Sequence, residues 1–367
     1  VTVRTTRILA LVGAGLGWAG RGAAQDSPLS IHGLGMPGRV ESVRARATGG
    51  AFAAFDPLSA LVEAPAASVS RLTATAAIAS TYLQDDFNGT TGSRRTGRFP
   101  LFQVLGSLGH GVVAGGGFTT YLDRSYRVTI SDTITLGGSG QAVTDELASD
   151  GGVTDARIIL ARRFGRLALG AGYHLQTGST RVDAVRRFSD TSTYRGVSQS
   201  DEIAYHGAGF SASALVTLPH LWLAGFWRSD TRLTSEVQRA TVTENDLPQT
   251  VGGAIRWQPA PDVNFAASLL RRSWASAADS NAYNTTSWSA GADIRLGLPV
   301  RFGARGGDLP FGPGGKAPRE FAVAVGSGLT VSQGRAVIDF AVERLRRTTT
   351  GLTETGWTFL VGLTLRP

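Results

Sequence analysis

Residues Trp357-Thr-Phe-Leu-Val-Gly-Leu-Thr-Leu-Arg366 alternate almost strictly. Trp357, Phe359, Val361, Leu363 and Leu365 are large and apolar, while Thr358, Gly362, Thr364 and Arg366 take most of the positions between them. Side chains of a strand point to opposite faces in turn, so this segment has one greasy face and one polar or small face. The other end of the chain completes the reading. Val1–Arg7 is short and basic, Ile8–Trp18 is apolar, and Gly22-Ala23-Ala24 supplies the small residues after which a signal peptidase cuts. An export signal on a chain ending in an aromatic-rich amphipathic strand predicts an all-β fold. The expected form is a transmembrane antiparallel β-barrel in the outer membrane of a Gram-negative-type bacterium.

Residues 1–24 are expected to leave as a signal peptide, with cleavage between Ala24 and Gln25. Their apolar core is too short to span a bilayer as a helix. Removal takes Arg4, Arg7 and Arg21 and lowers the formal charge from +8 to +5. The remaining arginines are scattered through strand-like segments and form no basic block, so nucleic acid is not an expected partner. The chain has no Cys, which excludes a disulfide framework and any thiolate metal site. After the signal no apolar run approaches about 18 residues, which excludes helical membrane spans. A chain that is 42% hydrophobic with 48 Gly, dealt out in alternation, suits a barrel with lipid outside and a polar or filled interior. A soluble β-sandwich array shares that composition.

Residues 25–70 read differently from the rest. Arg44–Ala54 lacks two-residue alternation and is rich in Ala and Arg, and Pro57 and Pro65 punctuate short segments. Short helices and turns are expected there, ahead of a barrel over 71–367. From Arg71 onward about fourteen strand signals follow one another between Gly, Asn, Asp and Pro clusters. They lie near 71–84, 97–107, 110–131, 142–163, 166–188, 194–217, 220–236, 239–258, 262–277, 283–297, 298–308, 318–331, 334–347 and 354–366. Pro219, Pro259 and Pro261 sit at tight connections of the kind found on the periplasmic side of such barrels.

Faces can be assigned residue by residue. Leu167, Leu169, Ala171, Tyr173 and Leu175 oppose Ala168, Gly170, Gly172, His174 and Gln176, which makes His174 and Gln176 lumen-facing candidates. Near the C-terminus Ile338, Phe340 and Val342 oppose Asp339 and Glu343. Carboxylates facing lipid are expensive, so Asp339 and Glu343 are expected in the lumen, paired with arginines such as Arg335 or Arg366. A sandwich with these acids on its solvent face has the same periodicity. Small or apolar inward positions, among them Ala168, Gly170, Gly172, Leu360 and Gly362, permit an apolar pocket. Six of the seven Trp follow the signal, all in strand segments, as an interfacial girdle requires.

Other motifs carry little. Gly33-Leu34-Gly35-Met36-Pro37-Gly38 matches the spacing of a dinucleotide fingerprint, but Pro37 and the lack of a βαβ context argue against one. Gly314-Gly315-Lys316 lacks the hydroxyl of a phosphate loop, since Ala317 follows. The five His (His32, His110, His174, His206 and His220) form no metal-spacing pair, and no cofactor or metal is expected. Asp201, Glu202 and His206 lie close together, but no Ser stands in a recognisable nucleophile context, so no catalytic residue is expected.

Residues 44–66, RARATGGAFAAFDPLSALVEAPA, resemble the N-terminal signature of outer-membrane transport barrels of the long-chain fatty acid transporter (FadL/TodX) type. The match falls on Ala47, Gly49, Gly50, Ala51, Asp56, Ser59, Ala60, Pro65 and Ala66, with Ala64 standing where that family has Asn. Leu309-Pro310-Phe311, Glu320–Gly328, Arg335–Glu343 and the final strand resemble the family's C-terminal quarter. The resemblance implies a fourteen-stranded barrel whose N-terminal region, residues 25–70, folds into a small helical plug, with Gly49, Gly50, Asp56 and Pro65 as its motif residues. It further implies a porin-like, non-enzymatic channel for passive uptake of hydrophobic or amphipathic small molecules. The expected partners are outer-membrane lipids, a hydrophobic ligand and the barrel-assembly machinery. A non-transporting barrel serving as an envelope or secretion scaffold, or an outer-membrane hydrolase, remains an alternative on sequence alone.

Overall fold

Fourteen antiparallel strands close on themselves in the computed structural model, which describes residues 27–367 except 239, 277–281 and 314. The expected signal segment and its cleavage site lie outside the described residues. The strands are β1 Thr73–Phe87, β2 Thr90–Gly109, β3 Val112–Asp123 continuing as Tyr126–Leu136, β4 Ser139–Phe164, β5 Leu167–Phe188 and β6 Val197–Thr217. They continue with β7 Leu221–Asp230 and Arg232–Val237, β8 Ala240–Asp246 and Thr250–Ala260, β9 Val263–Arg272 and β10 Thr285–Leu296. The ring ends with β11 Leu298–Asp308, β12 Arg319–Val331, β13 Ala336–Thr349 and β14 Leu352–Leu365. Each pairs with its sequence neighbours, and β14 pairs with β1 from Leu352↔Phe87 to Leu365↔Ala74, which seals the cylinder.

The alternation seen in the sequence becomes two faces. In β14, Phe359 is 55% exposed and Leu363 43%, while Thr358, Leu360 and Thr364 are buried inside. Ile158, Leu169, Tyr173, Phe210, Leu223, Ile255, Phe265, Leu269, Phe302, Val323 and Val325 extend the exposed apolar face around the ring. A continuous patch of that size is untenable in water, and closure of the strands satisfies the backbone within the ring apart from one seam described below, so this surface belongs in lipid. The protein is an outer-membrane barrel. No helix among the described residues is long and apolar enough to cross a membrane.

At one end of the barrel every connection is short, including 165–166, 218–220 and 261–262, while the other end also carries the longer connections 189–196 and 309–318, which is the periplasmic and extracellular pattern. Strands β4, β5 and β6, with 26, 22 and 21 residues, far exceed the ~9–11 needed to cross, so their far halves project beyond the opposite face. Trp227, Trp257, Trp288 and Trp357 face outward. Two tryptophans depart from the expected girdle. Trp222 points inward under the Arg256 guanidinium, 4.3 Å from its ring centroid. Trp274 lies in a short turn after β9, buried against Phe311.

Residues 27–72 run inside the cylinder as short turns: Pro28–Ile31, Val43–Arg46, Ala53–Phe55 and Ala64–Ser68. The small side chains of Ala45, Ala47, Ala51, Ala53, Ala54, Ala64 and Ala66 are almost wholly buried, which lets the segment thread a narrow lumen. The wall makes matching room. A Cβ at Gly170 would lie 2.5 Å from the Ala64 nitrogen, and one at Gly303 would lie 2.2 Å from the Thr48 carbonyl oxygen.

The wall is broken at one place. β2 and β3 pair from Gly109↔Val112 only as far as Leu101↔Thr119. Just beyond, Phe99 and Pro100 bulge opposite β1, between Ala77↔Leu101 and Ala79↔Arg98. Proline has no N–H to give to a ladder, so pairing stops there. The vacated edge of β3 is met by the inner segment instead: Met36 pairs with Asp123 and Pro37 with Leu122. The Gly38 amide donates to the Tyr121 carbonyl at 2.8 Å, and a Cβ on Gly38 would lie 1.9 Å from the Thr120 carbonyl oxygen. Gly35 and Gly38 of the dinucleotide-like motif thus serve a close approach between two backbones, while Gly33 lies against the Phe311 ring.

Candidate functional site

The lumen holds buried charges organised around the inner segment. Inward positions of β11 to β14 carry Arg301, Arg305, Glu320, Asp339, Glu343, Arg347 and Glu354. Glu343 accepts from Arg46 of the inner segment, Nε to Oε1 at 3.1 Å, and from Arg305 at 3.0 Å. Arg305 also reaches Glu320 at 3.1 Å, Glu320 accepts from Arg347 at 2.8 Å, and Arg347 donates to Glu354 at 2.6 Å. Beside this chain, Arg301 bridges Asp339 at 2.7 Å and Asp293 at 3.2 Å. The arginine partners suggested by chain proximity, Arg335 and Arg366, are replaced by Arg301, Arg305 and Arg46. Cross-strand register and the inner segment select the partners, and neither is visible along the sequence.

On the opposite wall, His174, Gln176 and Asp155 face inward and are buried. His174 Nδ1 donates to the Asp155 carboxylate at 3.0 Å, and its Nε2 lies 2.8 Å from Ser211 Oγ. Ser211 in turn donates to Glu63 of the inner segment at 2.6 Å. Ser213 gives Glu63 a second bond at 2.9 Å, and Arg157 donates to the Ala60 carbonyl at 2.7 Å. Gln176 donates to Asp230 at 3.0 Å, and Arg228 holds Asp155 at 2.7 Å and Asp230 at 2.8 Å. Asp155, His174 and Ser211 are the residue types of a nucleophilic triad, but the geometry opposes that chemistry. The Ser211 proton points to Glu63, whose negative charge beside the hydroxyl would repel a developing oxyanion. The arrangement ties the inner segment to the wall. Among the described residues no three acidic or His side chains converge as a metal site.

The motif residues of the inner segment have local roles. Asp56 accepts from the Ser42 hydroxyl, the Arg44 guanidinium and the Leu58 amide. Burial works against its charge, yet Arg44 and these hydrogen bonds hold the Asp56 carboxyl below the usual carboxylate range. Gly49 and Gly50 take positive φ, and Gly49 passes 2.7 Å (as a Cβ) from the Ala304 carbonyl oxygen. Pro65 sits in the first turn of Ala64–Ser68, where its missing N–H leaves no bond unmade. Sequence reading missed Glu63, Arg46, Arg157 and Ser211. Arg157 and Ser211 carried a usable signal, since each falls on an inward alternate position where a polar group needs a partner.

Open space remains above the inner segment. A cavity of about 240 Å³ is bounded by Met36, Arg39, Leu61, Phe226, Leu270 and Arg272, and it reaches Pro100, Thr120 and Asp123 at the broken seam. A smaller one of about 50 Å³ adjoins it beside Glu63, Arg228, Arg272 and Trp274. The apolar pocket anticipated at Gly170 and Gly172 is absent, because Glu63 and Ala64 fill that space. The open cavity is amphipathic.

No protein-family model and no curated protein sequence matches the chain. Solved structures do. A Pseudomonas aeruginosa FadL homologue superposes with a TM-score of 0.62 at 12% identity, covering 90% of this chain and 99% of that one. The Pseudomonas putida toluene transporter TodX gives 0.60 at 12% identity, over 90% and 98% of the two chains. The CymD monoaromatic hydrocarbon channel gives 0.57 at 11% identity, over 93% and 99%. The fold is that of the FadL/TodX-type barrels. With identities this low the likeness concerns architecture, and what this chain does is argued from its own lumen.

Proposed function

We propose that this protein is an outer-membrane channel through which amphipathic small molecules pass passively, with residues 27–72 acting as a plug that shifts to let them by. The observation that carries this reading is the cavity lying between the plug and the interrupted β2–β3 seam, where the short stretch Met36-Pro37-Gly38 covers the β3 edge. Such molecules cross a polar outer leaflet poorly, and a cavity against a gap in the wall offers them a path into the lumen. The structurally similar proteins named above, a toluene transporter and a hydrocarbon channel, are consistent with it. The alternative of a static scaffold has no observation of its own in its favour.

The chain has no Cys, so a disulfide can test the plug directly. Pro37 and Leu122 are directly opposed, at a spacing compatible with a disulfide. Proteoliposomes carrying Pro37→Cys/Leu122→Cys should take up benzenesulfonate and benzyltrimethylammonium, two aromatic ions that leak poorly through lipid, when reduced. Oxidation should abolish or strongly slow uptake. Passage no faster than in protein-free vesicles, or at the same rate in both redox states, would refute the channel reading.

A further inference from the structure

Seven arginines line the two cavities, and six of them are ion-paired: Arg39 to Glu41, Arg46 to Glu343, Arg98 to Asp123, Arg228 to Asp155 and Asp230, Arg305 to Glu320 and Glu343, and Arg347 to Glu320 and Glu354. Arg272 is the exception. It stands at the end of β9 facing inward, lines both cavities, and among the described residues makes neither an ion pair nor a side-chain hydrogen bond; its electrostatic neighbours Tyr121, Glu41, Asp230 and Arg228 are engaged elsewhere. A guanidinium keeps its charge, and this one is half-buried at the cavity wall, where it can meet a ligand without first giving up an ion pair. Donors without acceptors stand near it: Trp274 Nε1, Arg228 Nη2 and Arg39 Nε are buried and unpartnered, while the unmatched carboxylate and amide oxygens are Glu41 Oε2, whose carboxylate Arg39 already neutralises, Gln176 Oε1 deeper in the wall and Glu354 Oε2 beside Arg347.

We propose that Arg272 is the head of an anion subsite that takes a small organic acid, a carboxylate or sulfonate on a compact aromatic or branched apolar body. The inference rests on the channel reading and names the class of molecule it admits. The planar fork of Arg272 matches a carboxylate or sulfonate with two parallel bonds, and Trp274 and Arg228 stand beside it with donors to spare. The body lies against Met36, Leu61, Phe226 and Leu270 of the same cavity. At about 240 Å³ the space is below the ~300–1,000 Å³ of pockets for drug-sized ligands, so it suits a compact body. Trp274 is held in place by its edge-on contact with Phe311, 5.2 Å between centroids, so the site is formed before the ligand arrives.

Titration calorimetry on the full-length barrel in neutral detergent tests this with three probes of defined charge and shape. Benzenesulfonate should bind saturably, inorganic sulfate more weakly at the same site, and benzyltrimethylammonium not at all. Losing a charged hydrogen-bond pair is worth about 1.5–3 kcal/mol, so Arg272→Gln should weaken benzenesulfonate roughly 10- to 100-fold. Arg272→Lys keeps the charge and loses the fork, and should fall between the two; it also serves if Arg272→Gln fails to assemble as judged by heat-modifiable gel migration. Equal affinity for benzenesulfonate in wild type and both variants, or equal binding of the cation, would overturn the proposal. In proteoliposomes, uptake of both aromatic ions alike with no effect of Arg272 sinks the subsite and leaves the channel standing. Binding without any uptake does the reverse.

Discussion

Along β11 to β14 the lumen charges form a continuous chain from Arg46 through Glu343, Arg305, Glu320 and Arg347 to Glu354, each group held from at least one side. Across the lumen, from β2 to β9, the ladder stops at Pro100, a two-residue bridge covers the bare edge, and Arg272 has no partner. Both walls are built from the same alternating strands. They differ in whether their arginines are ion-paired within the described chain. The paired wall holds the inner segment by charges that are expensive to separate, and the incomplete wall leaves a charged group and backbone without partners. On the proposed channel reading, the incomplete side is where the inner segment would shift.

The largest effect should come from breaking the paired side. Glu343→Gln leaves Arg46 without an acid and Arg305 with one fewer, and removing one member of a buried pair costs about 3–5 kcal/mol. Denaturant unfolding in detergent should show a loss of that order, and a change under about 1 kcal/mol would mean that the chain of charges contributes little. Next comes the contrast between the two faces of β13. Phe340→Arg places a charge toward lipid, at about 2–4 kcal/mol near the midplane, and should impair assembly. Asp339→Asn leaves Arg301 still bridged to Asp293 and should assemble normally. The opposite outcome would invert the face assignment.

On the incomplete side, Glu63→Gln weakens the acceptor of Ser211 and Ser213 and should cost about 1–3 kcal/mol, felt mainly as faster hydrogen exchange in residues 60–68 with little change in the barrel strands. Uniform loss of protection across the barrel would erase the distinction between the walls. The smallest effect concerns acid. The Asp56 carboxyl is held below its unfolded value, so its stabilisation is present above a pH of about 3.9 and fades as pH falls through the lower folded value. Exchange in residues 42–58 should therefore accelerate in acid, and Asp56→Asn should flatten that dependence. An unchanged pH response in the variant would assign the effect to another group.

The strands and their two faces were legible because alternation has a period of two that no tertiary context alters; Leu169 against His174, and Phe359 against Thr358, follow from it directly. The inward placement of Asp339, Glu343, His174 and Gln176 has the same origin. Even the break in β2 has a local cause in Pro100, although its consequence depends on what lies across the gap. The lining of the cavity was not legible. Gly170 and Gly172 suggested an apolar hollow, and instead they make room for Glu63 and Ala64. Trp274 suggested a girdle position and lies inside against Phe311.

Sequence alone therefore determined the membrane-facing cylinder, since lipid imposes a one-dimensional rule on every strand. Which arginine meets which acid, that Glu63 is tied to Ser211, and that Arg272 is left without a partner were decided only in three dimensions. Those contacts join residues up to 297 positions apart, as Arg46 and Glu343 are, and their pairing depends on strand register and on a segment whose irregular backbone has no period to read.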